Sequence, residues 1–199
     1  MHFVNIQSQW LRRLILGVRL GQKNMIQLRL TERVRKEFSI QQSLLSELKE
    51  CQGGLGAWTL NIFKVRNKKA VICVNDETLY SFIIFGPRKD NPSDLSRLFL
   101  NGLFQLLETD GFLRSEIDFL TQGCDQIQYT KTNSKRVLGN VNDLVWHYQY
   151  AVLDYGGFKD ADIIHIINSI NRMPQRNIGW VYSIEKVRSI VPESVRIMK

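Results

Sequence analysis

The sequence predicts an α+β domain in which a mostly antiparallel sheet of four to five strands is packed by helices. Three observations carry this expectation. Residues 60–75 hold two apolar, β-branched runs around the cationic turn Arg66-Asn67-Lys68, and Ser81-Phe82-Ile83-Ile84-Phe85 follows as a third. Three such runs in close succession suit an antiparallel meander better than βαβ crossovers. Farther on, Leu95, Leu98, Phe99, Leu103, Leu106 and Leu107 recur at three-and-four spacing, the period of a helix with one buried face. A length of 199 residues suits one domain large enough to bury a core.

The elements read in order as follows. Met25-Ile26-Gln27-Leu28-Arg29-Leu30 alternates apolar and polar side chains, as a half-buried strand does. Thr31 offers a helix N-cap, and Val34, Phe38, Leu44, Leu45 and Leu48 supply an apolar stripe that is interrupted around Ser39. Gly53-Gly54-Leu55-Gly56 ends that stretch; with no strand before it and no helix after it, it is not a phosphate loop. The meander stops at Gly86-Pro87, and Pro92 suits the first turn of the helix that Gly111 ends. Ser115-Glu116 opens a shorter helix, and Ile127 to Lys131 reads as a further strand. The next helix turns Val137, Leu138, Val141, Leu144, Val145 and Tyr148 inward, and another over Asp160 to Asn171 does so with Ile163, Ile166, Ile167 and Ile170. Trp180-Val181-Tyr182 leads into a short last helix over Ser183 to Ile190. Residues 25–190 form the domain, 191–199 a tail, and residues 1–24 a leader or additional N-terminal helix, cationic and amphipathic over Trp10 to Leu20.

Apolar residues make up 44% of the chain and charged residues 23%, which is ordinary for a folded protein. The net charge of +8 is unevenly spread: residues 75–127 are acidic, whereas both ends, residues 51–74 and residues 128–142 are basic. A basic surface attracts polyanions, nucleic acid among them. The three cysteines, Cys51, Cys73 and Cys124, are far apart and form no CxxC, so no zinc ribbon or redox pair is expected, and a reducing cytoplasm suits them. No apolar run approaches the length of a membrane span.

Two polar groupings stand out as candidate sites. On the hairpin, Lys64, Arg66, Lys68 and Lys69 put four cations on a short ribbon, and Lys131, Thr132, Lys135 and Arg136 add a second basic set that could contact phosphates. Asn75, Asp76 and Thr78 form a corner, and Asn133, Asn142 and Asp143 lie in the second polar run. Asn75, Asp76 and Thr78 are expected to converge with Lys131, Thr132, Asn133, Arg136, Asn142 and Asp143, at element ends where unpaired backbone donors can hold an anion. The alternative reading is local: Asn75 and Asp76 tie a turn, Ser134 caps a helix and Asp143 pairs with Arg136. Asp143 and His147 have the i, i+4 spacing of an acid–base pair or of a helix-surface ion pair. Trp146 and Tyr150 read as core or interface rather than as a base-stacking surface. No catalytic signature, metal-ligand spacing or cofactor fingerprint is present.

Trp58, Asn61-Ile62-Phe63, Val74-Asn75-Asp76-Glu77-Thr78, the run from Lys131 to Asp143, and Asn171-Arg172-Met173-Pro174 stand as a set of separate motifs. Together they resemble an uncharacterised prokaryotic family known only as a domain of unknown function, with some similarity to passenger proteins of plasmids and transposons. The long middle run is the specific one. A His often follows the Trp in that family, and this chain has Thr59 there. The resemblance implies a small stand-alone protein and brings no established activity with it.

These readings favour a non-enzymatic binding or regulatory protein that meets nucleic acid through a basic face. A module for a protein partner, for self-association or for a toxin-like partner is the first alternative. A metal-dependent hydrolase or nuclease using Asp76 and Asp143 is the second.

Overall fold

The structure, a computed structural model, describes residues 24–51, 54–85 and 92–196. The leader expected over residues 1–24 and the Gly86-Pro87 stop therefore lie outside the described residues, apart from Asn24. Five strands form the main sheet: β1 (Ile26–Leu30), β2 (Ala57–Val65), β3 (Lys68–Asn75), β4 (Ser81–Phe85) and β5 (Ile127–Lys131), in the spatial order β4-β3-β2-β1-β5. The helices are α1 (Glu32–Glu37), α2 (Pro92–Thr109), α3 (Arg114–Leu120), α4 (Lys135–Asp154), α5 (Ile163–Asn171), α6 (Ser183–Ile190) and α7 (Glu193–Arg196). A small ribbon, β6 (Pro174–Gln175) with β7 (Val181–Tyr182), precedes α6.

The α+β class holds, but the sheet is mixed rather than mostly antiparallel. The meander β2-β3-β4 pairs antiparallel, as its short turns require. β1, however, lies parallel to both of its neighbours, with Leu28 opposite Trp58 of β2 and opposite Tyr129 of β5. Parallel neighbours need long connections. Residues 31–56 supply one between β1 and β2, and the stretch holding α2 and α3 lies between β4 and β5. The first of these connections is not the long helix its leucines suggested. After α1 the chain turns at Ser39, whose φ is +52°, and Leu44 and Leu48 stay exposed. It then runs beside β5, where the Ser46 amide donates to the Tyr129 carbonyl at 2.8 Å.

Alternation along the strands builds two faces. On one, Trp58 of β2 and Phe82 of β4 meet Phe99 of α2, with edge-on rings 5.2 Å apart for Trp58 and Phe99. Gly102 permits this approach, because a Cβ there would collide with the Phe82 ring. On the other, Phe63 packs against Tyr148 of α4 and against Phe158, which also stacks on Phe85 at 4.6 Å.

Two buried polar knots close the fold. Asn171, at the end of α5, behaves like a strand toward the edge of β4. Its amide oxygen accepts from the Ser81 N–H at 2.9 Å and its amide nitrogen donates to the Ser81 carbonyl at 2.8 Å. That satisfies backbone groups which an open sheet edge would leave unpaired. Asp110, at the end of α2, accepts from the Tyr80 hydroxyl and from Arg172 at 2.7 Å, while its carbonyl accepts from Arg188 of α6 at 2.8 Å.

Burial sets the alkaline limit of this core. It pushes the Tyr129, Tyr148 and Tyr80 phenols up, the Asp110 carboxylate adding to the effect at Tyr80. It also raises the Cys73 thiol and carries that of Cys124 up to about 12. A group with a higher pKa folded than unfolded contributes stability that is complete below its unfolded value and lost as pH climbs through the folded one. Unfolded thiols titrate near pH ~8.5 and phenols near ~10. The urea midpoint is therefore expected to hold up to about pH 8 and to fall steadily above about pH 9; an unchanged midpoint at pH ~11 would contradict this.

Candidate cationic cleft

Three parallel strands share one end, and that end is cationic. β1, β2 and β5 finish at Leu30, Val65 and Lys131. α1 leaves β1 there with Arg33 and Lys36, and the β2–β3 hairpin turns there with Lys64, Arg66, Lys68 and Lys69. β5 passes into α4 at the same end through Lys131, Thr132, Asn133, Ser134, Lys135 and Arg136. The sequence grouped two of these sets; α1 adds the third. Its contribution was not legible locally, because Arg33 and Lys36 are ordinary helix-surface residues until the parallel pairing of β1 with β2 brings them beside the hairpin.

A cleft of about 710 Å³ opens between α1, the hairpin and α4. Arg33, Lys36, Lys64 and Lys69 line it against a single carboxylate, Glu37, with Asn61, Asn142 and Gln149 as neutral polar groups. Glu37 holds Lys69 at 2.6 Å. Lys36 pairs at 2.7 Å with Glu32 one turn earlier, a solvent-exposed contact worth little. Arg33 and Lys64 have no acidic partner among the described residues. Gln149 donates to the Lys64 carbonyl at 2.8 Å and fixes α4 against the hairpin. Arg66, at φ +51°, and Lys68 form the exposed tip beyond the cleft.

The other predicted residues divide by place. Asn75, Asp76 and Thr78 sit at the opposite end of the sheet, where β2 begins: the Asp76 amide donates to the Ala57 carbonyl. Convergence of this corner with the Lys131–Arg136 segment is thus not formed, since antiparallel β3 returns to the starting end of β2. Asn75 ties the corner itself, its side-chain oxygen accepting from the Glu77 and Thr78 amides and the Thr78 hydroxyl. Ser134 caps α4 by accepting from the Val137 amide. Asn142 lines the cleft, while Asp143 is exposed on α4 with no ion pair to Arg136 among the described residues. Lys131, Asn133, Lys135 and Arg136 are exposed and Thr132 half-buried; none lines the cleft.

Asp76 instead engages a polar stripe that the sequence did not reveal. Register places Gln128, Gln27, Ala57 and Asp76 in one row across the sheet, and Thr130, Arg29 and Thr59 in the next. Arg29 reaches past the small Ala57 to Asp76 at 2.7 Å. Five buried polar atoms on this stripe have no partner: Arg29 Nε, Asp76 Oδ1, Thr59 Oγ1, Gln128 Oε1 and Thr130 Oγ1. The alternation of β1 was legible, but alternation implies a solvated polar face, and here that face is covered: Gln27 is fully buried, its side chain held by the Glu47 carbonyl and the Lys49 amide. Cys51 lies alongside, placed by Gly56, where a Cβ would collide with that of Cys51. Burial pushes the Cys51 thiol up, against opposing pulls from the Gln27 backbone and the Arg29 charge. A thiol held protonated is a poor nucleophile. Asn61, bonded to Thr31, stands both in the next row of the stripe and in the lining of the cleft, so the two are continuous.

A family described as a domain of unknown function, DUF6933, matches residues 27–186. The chain belongs to that family. The DUF6933 match begins in β1 and ends in α6, so it takes in all of the main sheet but Ile26, together with the cleft and the stripe. No curated protein matches the sequence. In this DUF6933 chain much of the Asn75 corner, the Ser134 cap and the Asn171-Arg172 pair is accounted for by folding, since each closes backbone groups or a buried charge. Among the described residues no group of three His, Cys, Asp or Glu could hold a metal ion, and no helix is long and apolar enough to cross a membrane.

Proposed function

We propose that this DUF6933 protein is a non-enzymatic binding or regulatory protein that holds a nucleic acid by its phosphates in the cationic cleft. The observation that carries the reading is the cleft's composition: four cations drawn from α1 and the hairpin, one carboxylate, and two of the cations without acidic partners. Cations of one sign gathered in a concave site raise the local concentration of an anionic ligand. The exposed Arg66, Lys68, Lys131, Lys135 and Arg136 extend the field around the same sheet end. Resemblance to prokaryotic plasmid and transposon passenger proteins supports a cytoplasmic setting where nucleic acid is the abundant polyanion. A partner-binding module is favoured by one separate observation, the exposed Trp180, Val181 and Tyr182 of the C-terminal ribbon.

Charge reversal tests the cleft. Arg33→Glu with Lys64→Glu replaces both cations that lack acidic partners, and neither side chain is needed for packing. Each lost phosphate contact is expected to lower the salt slope of binding by about 1. The double variant should therefore bind labelled DNA or RNA at least ~10-fold more weakly at low salt. Arg97→Glu, an exposed change on α2 outside the cleft, should leave affinity unchanged. A loss in Arg97→Glu about half that of the double variant on a logarithmic scale, in proportion to its half-sized charge change, would mean that net charge alone, and not the cleft, governs binding.

A further inference from the structure

The wall that α4 gives to the cleft consists of Asn142, Val145 and Gln149. Trp146, four residues past Asn142, is the outward neighbour of that wall on the helix surface, and Tyr150 lies four residues past Trp146 on the same face. Both were expected in a core or an interface, and the core half of that expectation fails: Trp146 is 62% and Tyr150 65% exposed. The rings are stacked on each other, centroids 5.9 Å apart and planes inclined by 17°, and the His147 ring meets that of Trp146 edge-on at 5.2 Å. Two large aromatic rings thus stand ordered in solvent on the rim of a cationic cleft.

We propose that Trp146 and Tyr150 form a stacking platform for the unpaired bases of a single-stranded nucleic acid whose phosphates occupy the cleft. This rests on the reading of the cleft given above and narrows it to single strands. The neighbouring cleft selects the occupant. On one side the platform adjoins Asn142 of the cleft wall, and Arg33, Lys36, Lys64 and Lys69 line the same cleft; on the other, Asp143, His147 and Asp154 continue the helix surface. Leu153, 47% exposed and three residues past Tyr150, adds one apolar side chain beside the rings. Asn142, Asp143 and His147 also stand around them, where an apolar protein interface would need a broader apolar surround. A strand laid with its backbone in the cleft has bases free to turn onto the rings, whose π-faces accept any base. In a duplex the bases are already stacked and paired, so the platform has nothing to receive.

Fluorescence anisotropy of a labelled oligothymidylate of ~20 nucleotides and of a duplex of equal length separates the possibilities, with native protein, Trp146→Ala, Tyr150→Ala and Trp146→Phe. The expected result is tighter binding of the single strand, a loss of about 5- to 150-fold in single-strand affinity for each alanine change, and an unaltered salt slope. Trp146→Phe should recover most of the loss because an aromatic face is restored. Alanine variants that fold and bind the single strand as tightly as the native protein would overturn the platform while leaving the cleft reading intact. Absence of any nucleic-acid binding by the native protein at low salt would overturn both. If the alanine changes alter only the sedimentation behaviour of the protein, the rings serve self-association and the platform is wrong.

Discussion

Asp110→Ala is expected to lower stability by roughly 3–5 kcal/mol, the range found when one partner of a buried charged contact is removed. The Asp110 side chain is fully buried, whereas Arg172, 44% exposed, can turn to solvent, which places the loss toward the lower end of that range. The Tyr80 hydroxyl has no such escape and would be left buried without its acceptor. One carboxylate here joins the end of α2, the segment entering β4 and the end of α5, and its own carbonyl holds α6 through Arg188. In urea the midpoint should fall with little change in the slope m, since the surface exposed on unfolding is the same. Asp110→Asn retains an acceptor for Tyr80 and should cost clearly less. Equal midpoints for the native protein and Asp110→Ala would show that the knot contributes nothing net.

Trp58→Ala should cost about as much, roughly 3–5 kcal/mol, by a different mechanism. The indole is fully buried, edge-on to Phe82 and Phe99, and its Nε1 donates to the Leu55 carbonyl. Removing it opens a cavity between the sheet and α2 and leaves a buried carbonyl unpaired. Trp58→Phe should restore part of the loss by refilling the space without the hydrogen bond. Thermal unfolding followed by circular dichroism measures both. A shift of only a few tenths of a kcal/mol for the alanine change would mean that α2 collapses onto the sheet without cost.

The parts of this fold that sequence makes legible are local. Hairpin β2–β3, helices α2, α4, α5 and α6, and the Ser134 cap depend on periodicity and on residues a few positions apart. The parallel pairing of β1 is not local: nothing near Leu28 says whether Trp58 and Tyr129 will lie beside it in the same direction. The rest of the error follows from that pairing. It sets the Asn75 corner and the Lys131 segment at opposite sheet ends, draws Arg33 and Lys36 into the cleft, and covers the Gln27–Arg29 face that alternation marks as solvated. Ser39 shows the same limit on a smaller scale, where one residue at positive φ turns an apolar stripe away from a helix. Trp146 and Tyr150 carry the i, i+4 spacing of a core-facing pair, and only the position of α4 against the sheet puts them outside.

The central claim is that phosphates bind in the cleft, and the salt dependence of binding addresses it most directly. Affinity for one labelled single strand, measured from about 50 to 200 mM salt, should fall linearly on logarithmic axes with a slope of about −2 to −3, as three or four phosphate contacts require at ~0.7 per contact. The slope should become shallower by about 1.4, two contacts at ~0.7 each, in Arg33→Glu/Lys64→Glu and stay as it is in Arg97→Glu. A slope near zero, or one that the cleft variant leaves unchanged, would contradict the account.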